Sequence, residues 1–197
     1  MRVFIAVIIL IFSLQSWTKA DDIRDFEIED MSIGDSLLNF TDRKKILKEI
    51  KRNAKYYKQF IPKNKFGEVY LMKTVTYDQI SVFVKTDDPN YKIYMFRGML
   101  NFNNNINKCL EKKSEITKDI ENLFNDFKKR DYKVESGLDS TGRSYTLRTA
   151  FSFKNDDRII VQCSDWEESF RKKNNFGEGI SVIIQTKEAY NWFLTAN

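Results

Sequence analysis

The sequence contains no histidine, and only two cysteines, two prolines and seven glycines among its 197 residues. Without histidine, Ser-His-Asp and Cys-His nucleophile systems are excluded, as are the usual zinc and copper ligand sets. The glycines (Gly34, Gly67, Gly98, Gly137, Gly142, Gly177 and Gly179) are scattered as turn or bulge residues and form no phosphate-cradling loop. EF-hand spacing is also missing, so no cofactor or metal is expected. With so little proline and glycine there is no flexible linker. A strong excess of one charge is lacking too: 33 basic residues face 28 acidic ones. Nucleic-acid binders gather basic patches interleaved with aromatics. Here Lys44-Lys45, Lys112-Lys113, Lys128-Lys129-Arg130 and Arg171-Lys172-Lys173 are short runs with acids nearby, and they read as solvated surface. No nucleic-acid partner is expected.

What is present begins with a leader. Met1-Arg2 precedes an apolar run over residues 3–14, and Thr18 and Ala20 supply small residues ahead of Asp21. This pattern predicts a signal peptide over residues 1–20, cleaved between Ala20 and Asp21. The run is broken by Ser13, Gln15 and Ser16, too soon for a membrane anchor. The mature chain is therefore expected to be soluble, without a stable anchor, in the periplasm or secreted. Losing Arg2 and Lys19 lowers the net charge from +5 to +3.

The best-patterned stretch covers residues 104–128. Ile106, Cys109, Leu110, Ile116, Ile120, Leu123, Phe124 and Phe127 step by three or four and fall within an arc of about 140°. That predicts a helix nearly 40 Å long at about 1.5 Å per residue, packed on a core. Lys113 lies inside the apolar arc, either as a stem whose ammonium reaches water or as a buried cation serving a ligand. Cys109 sits mid-arc, while Cys163 alternates with Ile159 and Val161 on a strand face, so both point at one core. In an exported protein two such thiols are expected to pair, the alternative being two separate buried thiols. Closing a loop of about 54 residues would stabilise the fold by roughly 4 kcal/mol on the chain-entropy model.

The remaining segments read as strands and short helices. Thr41-Asp42 opens a helix with Ile46, Leu47 and Ile50 on one side. Three strands follow: residues 69–75, residues 80–84 and, after the Asp87-Asp88-Pro89-Asn90 turn, residues 91–102. Beyond the long helix come strands at 143–154, 158–164 and 179–186, and Thr186 caps a last helix containing Trp192 and Phe193. The order is α-βββ-α-βββ-α, an α+β fold with antiparallel sheet and one long helix across a sheet face. Residues 21–197 are read as a single domain, with possible subdomains at 32–102 and 103–197.

Three parts of the sequence together resemble a known family: residues 25–37 (Asp-Phe-Glu-Ile-Glu-Asp-Met-Ser-Ile-Gly-Asp-Ser-Leu), the helical Cys109, and Val161-Gln162-Cys163-Ser164-Asp165-Trp166. The likeness is to an uncharacterised family of small exported proteins from streamlined, AT-rich marine alphaproteobacteria. It implies location and fold type only, with no activity, ligand or catalytic residue.

Two groups of residues are candidates for function. The acids Asp165, Glu167 and Glu168 flank Trp166 and open a loop of about fourteen residues. A carboxylate pair beside a tryptophan suits sugar hydrolysis; the plain alternative is a solvated acidic turn with Trp166 packed on the core. Tyr70, Phe83, Tyr94 and Phe96 are expected on the outer face of the first meander. They form either a docking surface for an envelope protein or a small apolar ligand, or a face covered by Ile46, Leu47, Ile50 and Trp192-Phe193. The leading expectation is a non-catalytic, exported binding or scaffold protein. The alternatives are a carbohydrate-active hydrolase and an inhibitor of a secreted enzyme built on the loop from Trp166 to Phe176.

Overall fold

A computed structural model describes residues 20, 22–57, 65–72, 74–102 and 105–195. Residues 1–19 of the leader predicted over residues 1–20, and Asp21 after it, lie outside the described residues. Among the described residues four α-helices and seven strands form an α+β fold: α1 (Arg43–Tyr57), β1 (Phe66–Met72), β2 (Gln79–Lys85), β3 (Ile93–Asn101), α2 (Ile106–Leu123), β4 (Lys128–Glu135), β5 (Tyr145–Ser152), β6 (Arg158–Asp165), α3 (Glu168–Asn174), β7 (Gly179–Gln185) and α4 (Lys187–Leu194). All strands share one antiparallel sheet in the order β1-β2-β3-β7-β6-β5-β4. The two candidate subdomains thus contribute to a single sheet, joined where β3 pairs with β7.

Side-chain alternation sets the two faces. On the first face the cross-strand register aligns Val69, Val82, Phe96, Ile184, Ile159 and Phe151 in one row, and all six are fully buried. Burying such side chains stabilises by about 1.5–3 kcal/mol each relative to exposure. Helices α1 and α2 cover this face, together with Ile23, Ile28, Met31, Ile33 and Leu37 from the N-terminal segment. Cys109 of α2 is bonded to Cys163 of β6, with S–S 2.03 Å and Cα–Cα 5.9 Å.

The long helix stops at Leu123, short of the predicted residue 128. Phe124 is extended and Phe127 lies in the following connection, yet both pack into the same core, at 4.9 Å from Phe153 and 5.1 Å from Phe151 respectively. Their three-residue spacing therefore mimics one more helical turn. Lys128-Lys129-Arg130 is not merely solvated surface but opens β4, a strand absent from the expected order. The expected loop after Trp166 contains α3. Among the described residues no helix is long and apolar enough to cross a membrane.

The second sheet face is covered over part of its extent by α4. Trp192 packs 5.2 Å from Phe66, and Phe193 packs 5.2 Å from Phe83. Ile46 and Ile50 pack on the first face instead, and Leu47 is exposed.

Candidate functional site

The four aromatics expected on one outer face are separated by the structure. A bulge in the β2–β3 pairing places Phe83 opposite Met95 and Val84 opposite Ile93, leaving Tyr94 as the extra residue. Tyr94 and Met95 therefore both join the cluster beneath α4, whereas Phe96 returns to the first face and is buried in the main core. Phe83 is buried under Phe193. Tyr70, on the second face of β1, is half-buried and stands outside the cluster under α4. No continuous apolar docking surface survives among these four.

Tyr70 belongs instead to a polar group with Glu68, Ser81 and Arg97. The register sets Tyr70 opposite Ser81 and Ser81 opposite Arg97. Glu68 is buried and lies 3.5 Å from the Arg97 guanidinium. Burial and then the Glu68 charge push the Tyr70 phenol up to about 12. Ser81 is fully buried, and its hydroxyl oxygen meets no hydrogen-bond partner among the described residues; the same holds for Nε of Arg97.

Further across this face runs a polar row that α4 leaves open. Met99, Ser181, Gln162, Arg148 and Tyr132 are successive cross-strand partners on β3, β7, β6, β5 and β4, and all are part-exposed. Arg148 donates from Nε to the Thr146 hydroxyl at 3.0 Å. Arg130, diagonal to Arg148 across the β4–β5 pair, stacks its guanidinium 5.4 Å from the centre of the Tyr132 ring. Diagonal cross-strand positions lie about 7–8 Å apart. Among the described residues, no carboxylate is within ion-pairing distance of either arginine. Sequence reasoning did not join these arginines, because Arg130 was read as solvated surface outside any strand and Arg148 fell within the strand at 143–154, where only the apolar residues were weighed; the β4–β5 pairing alone brings them together.

The acidic group around Trp166 is divided among three tasks. Glu167 caps α3, accepting from the Phe170 N–H at 2.7 Å and from the Ser169 hydroxyl, with Arg143 at 3.2 Å. The Ser169 bond above all holds its carboxyl below the usual range. Glu168 pairs with Lys172, which holds its carboxyl down likewise. Asp165 stands opposite Tyr145 on the neighbouring strand, and its carboxylate raises the phenol's pKa. Asp165 also lines a cavity of about 50 Å³ with Glu178, Asn105 and Cys109; Glu167 and Glu168 do not. Such a volume suits a water rather than a sugar ring. Trp166 is half-buried, 4.8 Å from Phe176 and 6.0 Å from Phe170, and its indole N–H donates to the Gly177 carbonyl at 3.2 Å.

Lys113 neither reaches freely into water nor points to a ligand cavity. Its ammonium donates to the Thr149 hydroxyl, which donates in turn to Asp131, and the ammonium lies 3.7 Å from that carboxylate. Burial lowers its pKa. Among the described residues no group of three or more His, Cys, Asp or Glu could hold a metal ion. No protein-family model, curated protein or solved structure matches the chain.

Proposed function

We propose that this is a non-catalytic binding protein acting outside the cytoplasm, and that the open half of its second sheet face recognises a polar, anionic component of the cell envelope. What carries the reading is the placement of Arg130 and Arg148 on that face: two cations at diagonal positions, flanking Tyr132, with no carboxylate opposite them among the described residues. Guanidinium groups match carboxylate and phosphate oxygens in planar, two-point contacts. The neighbouring Gln162, Ser181 and Thr146 add amide and hydroxyl groups to the same surface. The disulfide supports action in an oxidising compartment. An apolar ligand is disfavoured because α4 occupies the aromatic end of the face.

Calorimetric titration tests the reading, using oligogalacturonate, polyphosphate and a neutral malto-oligosaccharide as probes. One or both anionic probes are expected to bind while the neutral one does not, and Arg130→Gln/Arg148→Gln is expected to weaken binding by at least about tenfold. Anion binding that survives the double substitution would remove this face from consideration, and no binding of either anion would reject the anionic ligand.

A further inference from the structure

Strand β4 ends the sheet, and among the described residues nothing pairs with its outer edge. It holds an unbroken register with β5 over all eight residues and contains neither proline nor glycine. Edge strands usually resist pairing through such breakers, through bulges or through charged side chains, lysine above all. β4 is charged, but on one face its charges alternate in sign. Lys129, Asp131, Lys133 and Glu135 lie on the α2 side of the sheet, opposite Phe151, Thr149, Leu147 and Tyr145 of β5, in the order plus, minus, plus, minus. Read backwards, that order is its own complement.

We propose that this edge joins two copies of the chain, β4 pairing antiparallel with β4 of a second copy about a two-fold axis through Tyr132 and normal to the sheet. In this register Lys129 faces Glu135 of the second copy and Asp131 faces its Lys133. By symmetry each contact occurs twice, so all four pairs are of opposite charge. On the other face Tyr132 meets its own equivalent, and Arg130 meets Val134, so no like charges stand opposite each other. A slip of two residues in one direction sets Lys129 against Lys133 and Asp131 against itself; in the other direction it sets Asp131 against Glu135 and Lys133 against itself. Slips of one residue turn the second copy over and keep at most two of the four attractive pairs. The charge pattern thus selects one register.

The groups involved are accessible. The Asp131 side chain is 63% exposed despite its bond from Thr149, and Lys129, Lys133 and Glu135 are exposed. Lys129 already pairs with Glu121 at 2.7 Å on its own copy, which holds it on the α2 side of the sheet. The interface is isologous, as most homodimer contacts are. With the axis normal to the sheet, both copies present Arg130 and Arg148 on the same side. This proposal does not depend on what those arginines bind.

Sedimentation equilibrium of the purified, disulfide-bonded protein tests it. The wild-type chain is expected to dimerise. Lys129→Glu and Glu135→Lys are each expected to weaken dimerisation by at least about tenfold, because each sets two like-charged pairs across the axis. An equimolar mixture of these two variants is expected to recover a dimer, since every outer pair then joins an acid on one copy to a base on the other. That recovery also shows that both variants are folded. Arg148→Gln alone, on β5 away from the free edge, is expected to leave the dimer in place, which separates this test from ligand binding. A monomeric wild-type chain would overturn the proposal, as would a dimer indifferent to both single substitutions or a mixture that stays monomeric.

Discussion

Ile50 of α1 lies directly over Gly67 of β1, so that a methyl group added to Gly67 would sit 2.7 Å from Cγ1 and 2.8 Å from Cγ2 of Ile50. The contact involves atoms next to the helix backbone, which have little room to rotate away. Gly67→Ala is expected to cost about 1–3 kcal/mol, measured by urea unfolding. Adding Ile50→Ala to Gly67→Ala is expected to cost less than the sum of the two single changes, and strict additivity would show that the helix does not approach this closely.

Linking α2 to β6, the Cys109–Cys163 bond closes a separation of 54 residues. Cys109→Ala/Cys163→Ala is expected to lose about 2–4 kcal/mol of stability under oxidising conditions. Under reducing conditions the variant and the wild-type chain should differ far less. An oxidised variant with the wild-type denaturation midpoint would contradict the bond.

Lys113 offers a case where removing a charge should do little harm. Its folded pKa is lowered by burial, so the folded state resists protonation and the charged ammonium costs stability at neutral pH. That cost should fade as pH rises towards the ordinary lysine value. In Lys113→Met, Thr149 keeps Asp131 as its acceptor, and the Asp131 carboxylate remains largely exposed. The variant is expected to be within about 1 kcal/mol of wild type, or more stable. A large loss of stability would show that the ammonium is a structural anchor.

Asp139 governs the acid limit of its loop. It accepts the hydroxyl of Ser144 at 2.6 Å, the Ser144 N–H at 3.0 Å, and both the N–H and the hydroxyl of Thr141, and these bonds lower its pKa to about 2. The Ser144 hydroxyl oxygen accepts the Glu167 N–H, so the network reaches the start of α3. A depressed carboxyl pKa contributes stability that is complete above the unfolded value and lost as pH falls through the folded one. The thermal midpoints of wild type and Asp139→Asn should therefore differ at neutral pH and converge between about pH 4 and pH 2. A constant difference across that window would exclude Asp139 as the titrating group.

Much of the architecture was legible because apolar spacing carried it. The arc containing Cys109 and Ile120, and the alternation around Val82, Val161 and Val182, all report burial on one face. β4 escaped notice for the opposite reason: as an edge strand with most of its side chains exposed, it shows charges where a buried strand would show alternating valines. Phe124 and Phe127 then disguised its approach by continuing the helical rhythm. Phe96 was assigned to the wrong face because strict alternation cannot anticipate the bulge at Tyr94. For the candidate site, the residues around Trp166 were visible as a cluster in sequence, but their acids proved to have separate partners. Arg130 and Arg148 are eighteen positions apart in the chain and only strand pairing brings them together, so no local pattern could reveal them.

The last strand in sequence, β7, is the central strand of the sheet, seated between β3 and β6. A chain delivered from its N-terminal end therefore presents two finished meanders before the strand that unites them arrives. Until it arrives, the facing edges of β3 and β6 carry the backbone N–H and C=O groups that β7 pairs in the finished sheet. Folding of the two halves cannot be completed independently, and any event that delays residues 179–185 leaves the protein open at its centre rather than at its margin.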